Sequence, residues 1–347
     1  VQVEKLMLRD FRNYVCQEVA LGPGLHVFEG RNAQGKTALL EAIYLAATGR
    51  SFRTHRDDDL IGWGRAEASL AIELRRDSGK LRYLRMHWPR QGKRSIHLQD
   101  VCIRRLADFL QELPLTLFTP DDLELVQGGP QLRRAYLDLL LCKLSSVYLE
   151  NLGRYQKALK QKMALLKEKL PDGAQLDIWD SLLQQLGQPL QAARSQLVEQ
   201  LGPLVSSLYA QLSGESRAIE VTYQASPLAP RRQEELRLRT CLSGPQRDEL
   251  ALHMDEHLLR RFGSQGQRRT LALALRLAQA EVLWQRSGER PVVLLDDCFS
   301  ELDPQRQGRL LAWLEGVSQV LITTATPLQL LPGHRNYVVE NGQVTPC

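Results

Sequence analysis

The sequence predicts an α/β fold split by a helical insertion, and three observations predict it. Apolar strand-like segments alternate with a helix through the first 60 residues. Helix formers with apolar positions at helical spacing then fill the middle of the chain, and strand and helix alternate again in the last third. The length agrees, since 347 residues at roughly 150 per domain suggest two domains. Hydrophobic residues at 43% and charged residues at 24% are ordinary globular composition and exclude a disordered or collagenous chain. A membrane span needs about 18 consecutive apolar residues, and runs such as Val292 to Leu295 fall far short. With no leader-like pattern in the opening residues, the expectation is a soluble chain with no membrane partner.

Taken in order, Leu25 to Phe28 form an apolar strand ending at Glu29-Gly30, and Lys36 to Ala47 read as a helix ending near Gly49. The segments Ser69 to Leu74 and Leu81 to Met86 flank Asp77-Ser78-Gly79, a hairpin signal, and Gln91-Gly92-Lys93 extends the meander. From Gln131 to Leu170 the apolar spacing predicts one helix, Pro171-Asp172-Gly173 breaks it, and a second helix runs from Leu176 to about Leu212 with Gly187 and Gly202 as weak points. Two long helices around a tight break make an αα-hairpin or small bundle. The expected layout is residues 1–125 as the first part of an α/β head, 126–215 as the helical lobe and 216–347 as the rest of the head.

Six scattered cysteines without a Cys-x-x-Cys pair argue against a zinc ribbon or a disulfide scaffold and fit a reducing cytoplasm. The net charge of +5 permits a polyanionic partner without requiring one.

Gly30-Arg31-Asn32-Ala33-Gln34-Gly35-Lys36-Thr37 follows an apolar strand, opens a helix and matches the phosphate-loop pattern G-x-x-x-x-G-K-[ST]. Its glycines let the backbone wrap a phosphate, with amides and helix dipole facing the anion. Lys36 is expected to reach the β- and γ-phosphates of ATP and Thr37 to hold Mg²⁺. Such a loop needs an acid at the end of a neighbouring strand. Leu294-Leu295-Asp296-Asp297 supplies two, and burying adjacent unpaired carboxylates is expensive. Asp296 is the expected magnesium ligand. Asp297 either orients the attacking water as a general base or caps the next helix.

Phe262-Gly263-Ser264-Gln265-Gly266-Gln267 opens another apolar helix, at Thr270 to Trp284, and resembles the Ser-Gly-Gly-Gln signature of ABC-type ATPases. Ser300-Glu301-Leu302-Asp303 resembles their D-loop, and Thr323-Thr324 stands where they usually carry a switch histidine. An insert of about eighty residues fits the SMC-like branch with a shortened arm. Leu8 to Tyr14, Gly49 to Arg53, Phe118 to Leu123, Gly128-Gly129-Pro130, Arg133 to Asp138 and Ser243 to Glu249 together resemble the RecF family of bacterial recombination mediators, although Gln246 replaces that family's histidine.

The resemblance implies an ABC-type, SMC-like P-loop ATPase head interrupted by a helical hairpin lobe, with ATP and Mg²⁺ as cofactors. It implies slow, DNA-dependent hydrolysis to ADP and phosphate, and an ATP-dependent homodimer in which Ser264, Gly266 and Gln267 of one copy meet nucleotide held by the other. Arg12, Asn13 and Asp303 are further expected nucleotide contacts. The implied partners are double-stranded and gapped DNA and RecR, with RecO and RecA downstream, in DNA repair, replication restart and the SOS response at a cytoplasmic, nucleoid-associated location.

Duplex DNA is held mainly through cations on phosphates. The candidates are Arg53, Arg56, Arg85, Lys93, Arg94, Lys157 and Lys160, with Arg82, Arg90 and Lys162 nearby. Tyr83, His87 and Trp88 are candidates for base stacking, with core packing the favoured reading for Tyr83. Arg133-Arg134 either pair with Asp138 along one helix face or meet DNA.

Overall fold

The apolar run near residue 292 becomes β12 (Val292–Asp296), buried along its whole length. A strand without an exposed face needs parallel neighbours and cover on both sides. In this computed structural model, which describes residues 1–105, 108–326 and 333–347, β12 lies parallel to both β8 (Leu115–Phe118) and β13 (Gln319–Thr324). Beyond β13 come β3 (Gly24–Glu29) and β14 (Arg335–Glu340), also parallel, and then antiparallel β15 (Gln343–Pro346). The carboxyl ends of β3, β13 and β12 therefore share one edge, where open α/β sheets bind ligands.

The meander is a second, antiparallel sheet in the order β2-β1-β4-β5-β6-β7. Its strands are β1 (Gln2–Phe11), β2 (Tyr14–Ala20), β4 (Glu67–Arg75), β5 (Leu81–Pro89), β6 (Ser95–Leu98) and β7 (Val101–Cys102). Helix α1 (Lys36–Thr48) starts behind Gly35 at φ 118° and stops at Gly49, φ 68°, both left-handed values that favour glycine. Its residues are almost all buried, and Leu39, Leu40, Ile43 and Ala47 join Phe11, Trp88 and Leu294 in one core. These parts, with α9 (Pro304–Leu314), form one compact unit, residues 1–122 and 279–347.

Residues 123–278 form the other. It contains α2 (Leu123–Gln127), α3 (Pro130–Leu144), α4 (Ser146–Leu165) and α5 (Gly173–Ser213). The single helix expected over 131–170 is two, because Ser145 turns extended (φ −146°, ψ 114°) and its hydroxyl accepts from the Tyr148 amide as an N-cap. By contrast α5 continues through Gly187 and Gly202, and even through Pro189 and Pro203. Asp172 caps its start, accepting from Ala174 N at 2.9 Å, and Leu165, Leu166 and Leu176 close the hairpin. The unit extends past the 126–215 expected for the lobe. It adds the sheet β9 (Ile219–Gln224), β10 (Glu249–Met254) and β11 (His257–Leu258), with α6 (Arg232–Leu238), α7 (Leu259–Phe262) and the first part of α8 (Gln265–Ser287). Among the described residues no helix is long and apolar enough to cross a membrane.

Candidate functional site

At the shared carboxyl edge of β3, β13 and β12 lies a cleft of about 480 Å³. The glycine loop lines it through Asn32, Ala33, Gly35, Lys36 and Thr37, and Asp296, Asp297, Arg12 and Asn13 face it as well. Thr37 and Asp296 stand 259 positions apart in sequence, yet the Thr37 hydroxyl donates to Asp296 Oδ1 at 3.0 Å. Thr323 donates to the same oxygen at 2.6 Å. Burial raises the Asp296 pKa, and the neighbouring Asp297 adds to this against the two threonine bonds. Asp297 bends into the left-handed region at φ 46° behind an amide that donates to Thr323 O, and its buried Oδ1 has no hydrogen-bond partner.

Lys36 Nζ donates to the Gly30 and Arg31 carbonyls at 2.6 and 2.8 Å, which curls the ammonium under the loop and leaves a third donor direction. Burial lowers its pKa, while Asp297 and Asp296 pull the other way. Gly35 is needed twice over, by its φ and because a Cβ there would stand 2.7 Å from Asn13 Nδ2. Asn13 Nδ2 donates to Gln34 O and the Tyr14 hydroxyl to Gly35 O, so the β1–β2 turn fixes the loop from outside.

A loop lysine, a threonine hydroxyl bonded to a strand-end acid and an unpartnered second carboxylate fit a nucleotide with magnesium. Among the described residues there is no cluster of three or more histidines, cysteines or acids able to hold a metal alone. Waters and phosphate oxygens would complete the coordination, as is usual for Mg²⁺.

The family model described as the RecF/RecN/SMC N terminal domain matches residues 2–344. The DNA replication and repair protein RecF of Synechocystis is 38% identical over 93% of this chain and 91% of that protein. Its namesake from Chloroflexus aurantiacus is 37% identical over 99% of both. The chain belongs to the RecF family. A solved structure of the recombination mediator RecF with ATP, from the RecFOR pathway, superposes at TM-score 0.92 with 28% identity, covering 99% of this chain and 97% of that one. An Smc head from Pyrococcus furiosus, 16% identical over 99% of this chain and 95% of that one, shares the fold at TM-score 0.61. The fold is thus the SMC-like ABC-type ATPase fold.

Within this RecF-family chain the remaining expected residues fall into distinct settings. Ser264 caps α8: its amide donates to Gln267 Oε1 at 2.8 Å and its hydroxyl accepts from Gln267 N, a reciprocal capping box with Gly266 between them. Asp303 caps α9, accepting from Arg306 N at 2.9 Å. Arg12 lines the cleft, but Nε and Nη2 form a fork on the buried carboxylate of Glu41 and Nη1 donates to Asp59 O.

Of the cations, Arg53 lines the same cleft with Glu41 3.4 Å away. Arg56 and Arg94 share a neighbouring hollow with Arg50 and His55, Arg94 bonding Gly49 O. Arg85 faces Asp100 at 3.5 Å, and Lys93, Lys157 and Lys160 are exposed.

Four expectations are overturned. Lys162 is buried between Asp180 and Glu235, both at 2.6 Å, and cannot reach DNA. Trp88 is 1% exposed beside Phe11, so it is core; Tyr83, at 38%, is on the open face instead. Arg133 forks onto Glu249 at 2.8 and 3.1 Å, and Arg134 donates to Asp248 O, so neither uses Asp138. At the family-histidine position Gln246 donates to Ser243 O at 2.7 Å and accepts from the Tyr155 hydroxyl. The sequence pattern does not expose Glu41, whose one signal is an acid within an apolar helix, or Trp63 between two glycines.

Proposed function

We propose that this chain is an ATP-gated DNA clamp in which the nucleotide is an assembly switch and hydrolysis resets binding. The observation that carries the reading is the Thr37–Asp296 hydrogen bond, which joins the phosphate loop to the acid strand beside an orphaned Asp297 oxygen. Lys36 and the loop amides bind the phosphates, and Thr37 with Asp296 holds Mg²⁺. Bound magnesium would neutralise charge building on the phosphate oxygens. Asp297 accepts a hydrogen bond from the attacking water and orients it. Its short carboxylate, where most ABC ATPases carry glutamate, reaches less far, so hydrolysis is slow and serves as a timer.

Ser264 of a second copy donates to the terminal phosphate, so the triphosphate bridges two subunits and its hydrolysis removes the bridge. The dimer binds double-stranded DNA near single-strand gaps through phosphate contacts, and with RecR and RecO it favours loading of RecA. The relatives' names and the RecFOR pathway of the solved RecF support this assignment.

Sedimentation with and without Mg-ATP, on plain and gapped duplex, tests both halves. Wild type should pair only with ATP and sediment with gapped duplex preferentially. Lys36→Met should abolish nucleotide binding, and Ser264→Arg should bind ATP but stay monomeric. Ser264→Arg dimers forming as readily as wild type would refute the trans arrangement.

A further inference from the structure

The nucleotide cleft has two chemically different walls. One offers the glycine-loop amides, Lys36, Thr37 and the acid pair, all suited to phosphate and its metal. Asp59, Ile61 and Trp63 also line the cleft, with Arg12, whose guanidinium is committed to Glu41 and Asp59 O, and Arg53 beside them. A carboxylate, an aliphatic chain and an indole make a poor phosphate seat, since the carboxylate repels the anion. They make a good seat for a flat heterocycle.

Trp63 is 99% exposed, which leaves both faces of the largest apolar side chain open to water. Trp88 of the same unit is 1% exposed, and the remaining tryptophans are part-covered, Trp284 being the next most open at 39%. The backbone around Trp63, however, is held. Ile61 forms a bridge with Phe11, Gly62 N donates to Asp10 O at 2.7 Å and Arg12 N donates to Leu60 O at 2.8 Å. A side chain at Gly62 would be tight, because a Cβ would lie 3.2 Å from the carbonyls of Asp10 and Arg12, and Gly64 turns at φ +72°. Arg12 also grips Asp59 O, while Asn13, the next residue, grips Gln34 O. One turn therefore sets the spacing between the aromatic wall and the phosphate wall.

We infer that Trp63 is the platform for the nucleotide's base, stacking on its face and selecting purines by area rather than by reading their edges. The inference rests on the nucleotide reading above. A stacked indole is tolerant of base identity, because every base has a π-face. ATP and GTP should depend on Trp63 alike, and UTP less.

Intrinsic fluorescence and equilibrium binding of the full chain test this, with Mg-ATP, Mg-GTP and inorganic triphosphate as ligands. Mg-ATP should quench or blue-shift the wild-type tryptophan emission, and Trp63→Phe should lose that change yet keep ATP affinity within a few-fold. Trp63→Ala should weaken ATP by about 5- to 150-fold, the range that loss of one base–aromatic stack corresponds to, and leave inorganic triphosphate unchanged. ATP binding to Trp63→Ala at wild-type strength would overturn the platform while leaving the nucleotide site intact. So would an emission change as large with triphosphate as with ATP, which would mean that a second subunit covers the indole. If wild type binds neither ligand, and Lys36→Met is indistinguishable from it, the nucleotide reading falls and the platform with it.

Discussion

Asp248 in the helical unit and Asp297 in the sheet unit both hold a buried carboxylate oxygen, and the two are treated in opposite ways. Asp248 is fully buried and its valences are filled. Oδ1 accepts from Gln191 Nε2 and the Ser226 amide, each at 2.8 Å, and Oδ2 accepts from Arg194 at 2.8 Å and from the Tyr223 hydroxyl. Asp297 has a buried oxygen that nothing satisfies, on a strained backbone, beside an Asp296 whose pKa burial has raised. A buried acid surrounded by donors belongs to the architecture; one held apart from donors is what the proposed magnesium and water site would need.

The largest effect should come from breaking the finished network. Arg194 donates to both oxygens of Asp138, to Asp248 and to Pro245 O. Arg194→Met strands two acids, and removing one partner of a buried pair costs about 3–5 kcal/mol. Chemical denaturation should show that loss as a lower midpoint, with Asp297→Asn close to wild type or above it. Arg194→Met unfolding at the wild-type midpoint would erase the distinction between the two acids.

How much of this the sequence reveals depends on how local each signal is. The phosphate loop reads directly, since strand, glycines, lysine and helix are contiguous. The acid pair reads as its partner because adjacent carboxylates ending an apolar strand have no structural use. Asp138 does not read: its partner Arg194 lies 56 residues on, across a helix break, and a neighbouring arginine on the same helix looks equally good. Nor does Arg133, whose acid is 116 residues away. Trp88 is legible as core, for Leu84, Met86 and Trp88 alternate with Arg85 and His87 and define the inward face of β5, and the cations around it hide that alternation. Trp63 carries no pattern, because its meaning comes from the turn at Arg12 and Asn13 that brings it to the cleft.

A smaller effect, opposite in sign between two states, should follow from Asp296→Asn. The raised pKa means that the fold favours the protonated acid. Its contribution to stability is present at low pH and is lost as pH rises through the folded-state value. An amide keeps an acceptor for Thr37 and Thr323 without the buried charge. Ligand-free Asp296→Asn should therefore melt above wild type at neutral pH, and the two should converge as the solution is acidified through the carboxylate range. With Mg-ATP the order reverses. A ligand at 100 times its Kd stabilises by about 2.7 kcal/mol, and Asp296→Asn should forgo most of that. Thermal melts across pH, with and without Mg-ATP, give both signs, and a ligand-free melt below wild type at neutral pH would mean that the two threonines already compensate the charge.

The least change to the fold is expected where cations on α4 remain unspent. Lys162 is locked between two acids, whereas Lys157 and Lys160, on the same helix, are exposed to water. Replacing both with glutamine should shift stability by no more than about 0.5 kcal/mol, as surface substitutions usually do. If they meet phosphates, each lysine removed lowers the slope of log affinity against log salt by about 0.9, so the double variant should fall by close to twice that on duplex DNA. Lys162→Gln should do the reverse, destabilising the fold by removing the ammonium shared by Asp180 and Glu235 while leaving the slope of the folded fraction untouched. An unchanged slope in the double variant would remove the arm from the DNA surface and leave that task to the cations beside the nucleotide cleft, Arg53, Arg56 and Arg94.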